Sequence, residues 1–426
     1  MELFVFLVTL FILLSLGIPV AIVLAGCAIV LMAYMGEWAP SIISQQMVMG
    51  INNFPLMAIP FFMLSGELMT AGGLSKRIVD FANIAIGRLR GGLGYAAVLG
   101  SVLFSGLSGS AVANASAFGN IMIPLMKQSG YKTHRVVGLI SAGSILDPII
   151  PPSIPMIVLG TSVGVSVSGL FIAGIVPGII LGLSLMAVWY WVVKKDGYKD
   201  IKIYSKQEMS KIARDSIPAL FMPVLIVGGI RFGIFTPTEA GAFAAVYAFL
   251  VSMLWYRELK FNQLIQVFIN TARSTAIVMF IVAAASAVGW LLTVAQIPDQ
   301  IALLLEGFID RPLALLLIIN LFLFLIGMVM DLTPNLMIFG PMLFPVIRQA
   351  GIDPIFFGVI MTLNLCIGLI TPPVGTVLYI GCNAGDISLS EVIKGVMPFL
   401  IVQLVVLLIF TLFPSIILIP YHLIMR

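Results

Sequence analysis

Side chains that carry oxygen cluster at two places in an otherwise apolar sequence, within residues 105–153 and within residues 331–376. Hydroxyl, amide and carboxylate oxygens are the ligands that hard cations prefer. The two stretches therefore indicate binding of a cation such as Na⁺ or of a polar substrate. The candidate side chains are Ser108, Ser110, Asn114, Asp147 and Ser153 in the first stretch and Asp331, Thr333, Asn335, Thr371 and Thr376 in the second.

The two stretches follow one template. Aligned pairs are Phe118 with Phe339, Pro124 with Pro345, Pro151 with Pro372 and Gly160 with Gly381, and the members of each pair lie 221 residues apart. A gapless match of this length is not expected by chance. The sequence therefore predicts a duplicated structural unit.

The composition places both stretches in a membrane. Of the 426 residues, 61% are hydrophobic and only 9% are charged, and the mean hydropathy is +1.15. A soluble protein needs a charged surface that this composition cannot supply, so the sequence predicts an all-α polytopic membrane protein. The three cysteines lie far apart and neither histidine has a Cys or His neighbour, which argues against a zinc site.

Apolar runs predict five membrane spans in each half of the chain. The predicted spans are 3–16, 17–35, 55–71, 137–163 and 168–193 in the first half, and 217–232, 238–256, 268–294, 355–381 and 396–420 in the second. Between them, residues 194–216 form a basic linker that the positive-inside rule places in the cytoplasm. The predicted units are therefore a first repeat at 1–193 and a second repeat at 217–426.

Two further apolar segments, at about 92–126 and about 313–347, are predicted to be re-entrant hairpins. Basic residues flank the first segment at both ends, and a single crossing would put them on opposite faces of the membrane. A hairpin that enters and leaves through the cytoplasmic face avoids this. Each half then has five spans and one hairpin, and the odd number of crossings predicts an inverted repeat.

Helix breaks are predicted at the depth of the membrane, at the two hairpin tips and at the proline steps of the spans 137–163 and 355–381. Non-helical backbone is tolerated there only where it is buried in protein or lines a cavity. Inverted-repeat transporters build their binding sites in this way. Half-helices expected to begin near Ala115 and Leu336 would point their positive ends inward, where a carboxylate could dock.

Asp331 is the strongest single candidate, because an ionisable group at membrane depth is costly unless it is paired or functional. It could bind a cation or a substrate hydroxyl, or it could cap the hairpin helix. The same alternatives of coordination or local capping apply to Asp147, Asn114 and Asn335. Ser153 could contact substrate or could hydrogen bond within its own helix.

A set of short motifs resembles the large membrane subunit of tripartite ATP-independent periplasmic (TRAP) transporters over the whole chain. The motifs are Gly91-Gly-Leu-Gly-Tyr, Ser108-Gly-Ser-Ala-Val-Ala-Asn, Pro148-Ile-Ile-Pro-Pro-Ser-Ile-Pro, Phe235-Thr-Pro-Thr-Glu-Ala-Gly, Gly327-Met-Val-Met-Asp-Leu-Thr-Pro and Gly368-Leu-Ile-Thr-Pro-Pro. The resemblance implies an elevator driven by two or more Na⁺ ions, in which a transport domain with both hairpins slides against a scaffold. It also implies a small four-helix membrane subunit, supplied by a separate chain, and a periplasmic binding protein that delivers an organic acid.

The resemblance implies roles for individual residues as well. The substrate region would be lined by Ser108, Ser110, Ser153 and Asp331. The first Na⁺ site would join the first hairpin tip to the break near Asp147, and the second would join the second tip to Thr371 and Gly375. Many relatives carry Asp at the position of Asn114, so the first site would be less charged here.

The resemblance implies a bacterial inner-membrane protein, and its members take C4-dicarboxylates, keto acids or sugar acids such as sialic acid. The hydroxyl-rich first tip beside Asp331 favours a sugar acid. The sequence has no nucleophile with a base and no metal-spaced histidines, so an enzyme is not predicted. No nucleic-acid partner is predicted either. The alternatives are an ion channel, or an unrelated Na⁺- or H⁺-coupled anion transporter that works without a binding protein.

Overall fold

The computed structural model describes residues 1–36, 38–105, 109–198 and 204–425. Within these residues the chain forms twenty α-helices, one short 3₁₀ segment and one short π segment, and no strand. Six of the described helices are long and apolar enough to cross a membrane. The predicted all-α polytopic membrane fold is confirmed.

The first half of the described chain forms ten α-helices. They are α1 (Glu2–Ser15), α2 (Val20–Tyr34), α3 (Pro40–Ile51), α4 (Ala58–Ala71), α5 (Leu74–Ile86), α6 (Gly92–Phe104), α7 (Ala111–Gln128), α8 (Thr133–Ser144), α9 (Ile154–Val163) and α10 (Val167–Asp196). The helices α6 and α7 are the two arms of the first predicted hairpin. The helices α8 and α9 are the two parts of the first broken span.

The second half forms ten more. They are α11 (Lys206–Arg231), α12 (Pro237–Leu250), α13 (Phe261–Val294), α14 (Ile297–Ile309), α15 (Pro312–Gly327), α16 (Leu332–Gln349), α17 (Pro354–Gly368), α18 (Thr376–Gly385), α19 (Leu389–Leu412) and α20 (Ser415–Met425). The second hairpin consists of α15 and α16, and the second broken span consists of α17 and α18.

The helices from α5 to α10 recur in the same order as α14 to α19. The match is closest for α7 and α16, which begin at positions 111 and 332 and end at positions 128 and 349. Packing is reciprocal, because α7 packs on α18 of the other unit and α16 packs on α9. Two units related by a twofold axis exchange contacts in this way, which fits the predicted repeat, while the inversion of the second unit stays a prediction.

Equivalent phenylalanines hold the arms of each hairpin together. The ring of Phe118 lies 5.9 Å from that of Phe104, and the ring of Phe339 lies 5.2 Å from that of Phe322. Phe118 and Phe339 are aligned in the repeat and both are fully buried. Aromatic pairs at these separations contribute more stability than the burial of their apolar area alone.

The two halves differ before the hairpins. Asn52, Asn53 and Pro55 separate α3 from α4 through the 3₁₀ segment Phe54–Met57, whereas α13 runs without a break through the equivalent positions. Proline lacks the N–H that a helix needs for its hydrogen bonds and restricts the residue before it. Pro55 therefore prevents α3 and α4 from forming one continuous helix. The predicted span 268–294 was too short, since α13 begins at Phe261.

The last predicted span, 396–420, is wrong as a single helix. The helix α19 ends at Leu412, the chain passes through Phe413 and Pro414, and α20 begins at Ser415. Pro414 cannot continue the hydrogen-bond ladder of α19. The apolar run of the sequence hid this break because both helices have the same composition.

The broken spans lie at the centre of the molecule. Every residue of α17 from Ile355 to Gly368 is buried, and so is every residue of α8 from Val136 to Ser144. A helix that is covered on all sides belongs to the interior of a protein. The breaks that follow α8 and α17 are therefore surrounded by protein, as non-helical backbone at membrane depth must be.

Two groups of helices pack among themselves. The scaffold group consists of α1–α4 and α11–α13, with α13 lying against α2, α3 and α4; the hairpin group consists of α6–α10 and α15–α20. The helix α5 lies between α11 of the first group and α6 of the second, and its equivalent α14 lies between α13 and α16. The short helices α5 and α14 thus connect the two groups at symmetry-related places, and direct packing of α13 on α16 and of α10 on α11 also joins them.

Candidate functional site

The first hairpin tip is tied to the first broken span by a buried carboxylate. Ser110 is the N-cap of α7, and its backbone N–H donates to Asp147 Oδ2 over 2.9 Å. Asp147 is completely buried. A buried carboxylate must be stabilised by hydrogen bonds or positive charge, so this contact orders both the tip and the break.

Gly109 allows the first tip to approach α9. Its φ of +61° lies in the left-handed region, and a Cβ at this position would come within 2.7 Å of the backbone nitrogen of Ile154. Only glycine combines this backbone angle with this contact. The tip is therefore seated directly on the N-terminus of α9.

Asn114 lies one turn into α7, and its backbone N–H donates to Ser110 O over 2.9 Å. The side chain is completely buried, and within the described part of the chain neither Oδ1 nor Nδ2 has a hydrogen-bond partner. Leaving a buried polar group unsatisfied costs roughly 1–3 kcal/mol. The amide is therefore available to a ligand that reaches the first tip.

Asn335 is the repeat equivalent of Asn114, and it has a similar environment. Its side chain is completely buried and its Nδ2 donates to Met330 O over 3.1 Å. Among the described residues its Oδ1 has no partner. Both units therefore present a buried amide oxygen at the same position behind the hairpin tip.

Asp331 is the N-cap residue of α16, but its carboxylate makes no capping hydrogen bond with the described backbone. The residue is partly exposed, and Thr333 beside it is also partly exposed. A carboxylate at this position lies at the positive end of the helix dipole. It remains available to a cation or to a hydroxyl donor.

The second tip is tied to the second broken span through backbone atoms. The N–H of Gly375 donates to Met328 O over 3.4 Å, and Gly375 itself has a left-handed φ of +51°. Next to it, Thr376 Oγ1 is buried and has no hydrogen-bond partner among the described residues. Thr371 Oγ1 donates to Ile367 O over 2.7 Å, so this hydroxyl can still accept from a ligand or bind a cation through its lone pairs.

The half-helices behind the two tips differ from the prediction in where they begin. The half-helices behind the tips begin one turn earlier than predicted, at Ala111 and Leu332 rather than near Ala115 and Leu336. Their positive ends therefore lie at the tips themselves.

The structure does not show an available oxygen for two of the predicted site residues. The hydroxyl of Ser153 caps α9, since it accepts from the backbone N–H of Met156 over 3.2 Å and donates to Pro148 O. Its local role is thus capping, and a substrate contact stays a prediction. Ser108 lies outside the described residues.

Sequence reasoning missed a buried polar cluster that joins the second hairpin to its surroundings. Asn320 Nδ2 donates to Thr411 Oγ1 over 2.8 Å, and Asn364 Nδ2 donates to Asn320 O over 2.8 Å and to Asn320 Oδ1 over 2.9 Å. These residues connect α15, α17 and α19. Two asparagines inside apolar runs were the available signal, because polar side chains in membrane helices tend to bond across helices.

The comparisons with known proteins agree with this architecture. The family described as "Tripartite ATP-independent periplasmic transporter, DctM component" matches residues 7–416. A putative TRAP transporter large permease protein of Haemophilus influenzae is 47% identical over 95% of this chain and 95% of its own length. The large permease protein of a 2,3-diketo-L-gulonate TRAP transporter of Escherichia coli is 43% identical over 95% and 96%.

A solved structure has a similar fold. The chain resembles the YdaH transporter of Alcanivorax borkumensis with a TM-score of 0.62, covering 86% of this chain and 85% of that one. The sequence identity is 14%, so this likeness concerns the fold alone.

Proposed function

The chain belongs to the DctM family of TRAP transporters, as a large permease subunit that transports organic acids, and on that premise we propose that it imports a sugar acid by Na⁺ symport. The observation that carries the proposal is the pair Asn114 and Asn335. Both amides are buried at equivalent positions, and the oxygen of each has no partner among the described residues. A cation at each tip supplies the missing interaction.

The donors at the two tips suit Na⁺. Hydroxyl, amide and backbone oxygens with one carboxylate form a hard, weakly charged ligand set, and this supports two sites related by the repeat. The proposed ligands are Ser110, Asn114 and Asp147 at the first tip and Asp331, Thr333, Asn335, Thr371, Gly375 and Thr376 at the second.

The same geometry supports the proposed coupling between ion and substrate. Each proposed Na⁺ lies between a hairpin tip and a break, beside the contacts that Ser110 makes with Asp147 and that Gly375 makes with Met328. Bound cations hold the tips closed and neutralise the carboxylates. A substrate carboxylate then meets positive helix ends rather than uncompensated negative charge.

The proposed substrate class is a sugar acid. Asp331 offers acceptor oxygens for substrate hydroxyls, and the half-helix ends at Ala111 and Leu332 offer N–H groups for a carboxylate. The relative from Escherichia coli is named for 2,3-diketo-L-gulonate, which is itself a sugar acid. Sialic acid is a second candidate within this class, and C4-dicarboxylates are the alternative class to compare in the assay.

An elevator movement is the proposed mechanism of access. The hairpin group contains both tips and both breaks, and α5 and α14 connect it to the scaffold group. This division supports a rigid movement of the hairpin group, with α5 and α14 as the connecting arms. Alternating access in inverted-repeat transporters is largely the movement of one bundle against another.

The proposed partners follow from the family. They are a small four-helix membrane subunit and a periplasmic binding protein that delivers the acid. The proposed location is the bacterial inner membrane, where a periplasmic partner can reach the outer face.

Uptake into liposomes tests the proposal. The subunit is reconstituted with its small membrane partner and its binding protein, and uptake of labelled 2,3-diketogulonate, sialic acid and succinate is followed with and without an inward Na⁺ gradient. We expect saturable uptake of a sugar acid that requires both the gradient and the binding protein. Uptake at the same rate with and without the Na⁺ gradient would overturn the proposed coupling. Conductance without saturable uptake would favour a channel.

Removing either amide should weaken Na⁺ binding. We expect Asn114→Ala and Asn335→Ala each to raise the Na⁺ concentration for half-maximal uptake by about tenfold or more, because each removes a ligand oxygen that contributes roughly 1.5–3 kcal/mol. The matched control is Asn120→Ala, which removes an exposed amide from the same helix as Asn114. An unchanged Na⁺ dependence in both site variants would contradict the assignment.

A further inference from the structure

An open cavity of about 700 Å³ lies at the start of α11, and none of the proposed transport residues lines it. Its walls include Lys206, Lys211, Arg214 and Asp215 of α11 and the ring of Trp255. Trp255 ends the π segment Val251–Trp255 and is 69% exposed. Segments of π-helix occur frequently at functional sites.

The cavity is positively charged. Three of its lining side chains, Lys206, Lys211 and Arg214, are cations, whereas Asp215 contributes the single carboxylate. None of the three cations forms an ion pair within the described part of the chain. Their donors are therefore available to an external anion, and the positive-inside rule places them at the cytoplasmic surface.

The wall that α11 contributes continues into the membrane. Arg214 is followed on the same face by Ile217, Phe221 and Val224, at helical spacings of three and four residues. All three apolar side chains are exposed. The charged part of this face therefore changes to an apolar part between Arg214 and Ile217, as expected for a helix that passes from water into hydrocarbon.

The opposite wall of the cavity also continues into exposed apolar side chains. Trp255 borders the cavity, and Leu254, Leu250 and Val246 are exposed along the helix that leads to it. Tryptophan is enriched at the membrane–water boundary because one part of its ring system is apolar and its N–H is polar. The two walls therefore pair a charged cavity with two exposed apolar stripes.

Hydrogen bonds fix the walls relative to each other. Tyr256 Oη donates to Asp215 O over 2.6 Å, and Tyr247 Oη donates to Pro218 O over 2.9 Å. The ring of Tyr256 also lies 3.6 Å below the guanidinium carbon of Arg77. Because these contacts join Trp255 and its helix to α11, the cavity is a built feature.

We propose that this cavity binds the phosphate of an anionic phospholipid from the cytoplasmic leaflet. Lys211 and Arg214 contact the phosphate, Trp255 lies at the level of the headgroup, and the acyl chains follow the exposed stripes of α11 and α12. An acidic protein segment would satisfy the cations but would not use the apolar stripes directly beneath them. A lipid uses both.

Native mass spectrometry of the purified membrane subunits, titrated with phosphatidylglycerol or phosphatidylcholine in detergent, tests the proposal. Each basic residue near an anionic lipid contributes about a fivefold gain in affinity. We therefore expect the double variant Lys211→Gln/Arg214→Gln to bind phosphatidylglycerol about 30-fold more weakly. Phosphatidylcholine, whose phosphate is balanced by its own ammonium group, should bind more weakly than phosphatidylglycerol and should lose less affinity on the substitutions.

The matched control is Lys194→Gln/Lys195→Gln, which removes two exposed cations near Trp191 at the end of α10. It should bind phosphatidylglycerol like the unmodified protein. Equal losses in both double variants would show that only general surface charge matters and would overturn the site. Inorganic phosphate that displaces the lipid at equal concentration would assign the cavity to a free anion instead. A melting temperature in phosphatidylcholine equal to that of the unmodified protein establishes that each variant is folded.

Discussion

Replacing Asp331 by alanine should reduce uptake by about 100-fold or more, because a charged hydrogen bond or cation contact contributes roughly 3 kcal/mol. The structure explains why folding should survive the change. The carboxylate makes no capping bond with the described backbone of α16, and the residue is partly exposed at the hairpin tip. Liposome uptake and the melting temperature of the same preparation provide the two measurements.

The chain offers a matched control one helix later. Asp353 is the N-cap of α17, and its Oδ1 accepts from the backbone N–H of Phe356 over 2.9 Å. Asp353→Ala removes a working cap and should lower stability by about 1 kcal/mol while uptake continues. If Asp331→Ala instead lowered the melting temperature as much as Asp353→Ala and left uptake intact, Asp331 would be a structural residue.

The duplicated architecture could be predicted because it depends on residue types that recur in both halves of the sequence. Proline, glycine and phenylalanine recur at a constant spacing of 221 residues, and each acts locally on the backbone or on a fixed packing contact. Hairpin arms at 92–104 with 111–128 and at 312–327 with 332–349 fall within a few residues of the predicted segments. Charge placement predicts which apolar segments return to the same face of the membrane.

Helix boundaries were less predictable, because several residues compete for the same role. The tips contain successive hydroxyl, amide and carboxylate side chains that can all act as N-caps. The structure has Ser110 and Asp331 at the N-cap positions, and only the side chain of Ser110 makes the capping hydrogen bond. The break at Pro414 was hidden by uniform hydropathy on both sides. Composition does not reveal such choices, which depend on the packing of the neighbouring helices.

The availability of individual oxygens could not be predicted either. Ser153 and Asn114 are both polar, buried and adjacent to a break, yet the hydroxyl of Ser153 bonds to its own segment whereas the amide of Asn114 has no described partner. The difference arises from side-chain conformation and tertiary distance. Sequence spacing identifies candidates, and only the folded geometry shows which of them already serve as caps.

Replacing Gly368 by alanine should disrupt the proposed second Na⁺ site indirectly, by displacing the hairpin helix that packs behind it. A Cβ at Gly368 would lie 2.4 Å from the carbonyl carbon of Gly327 and 2.6 Å from its oxygen. These are backbone atoms at the end of α15, so they cannot rotate away, and overpacking of this kind costs about 3 kcal/mol. Relief requires α15 to move from α17, which would pull Met328 from Gly375 and open the second tip. We expect a lower melting temperature and loss of Na⁺-dependent uptake.

Gly289→Ala separates this effect from the ordinary consequence of adding a methyl group to a helix. Gly289 lies within α13, and a Cβ there would meet no atom within 4 Å. Alanine is favoured over glycine in helices by up to about 1 kcal/mol, so this variant should be at least as stable as the original and fully active. Equal behaviour of Gly368→Ala and Gly289→Ala would mean that the contact between Gly368 and Gly327 does not hold the second hairpin to its broken span. A loss confined to Gly368→Ala would show that this contact supports the proposed second Na⁺ site from outside its proposed ligands.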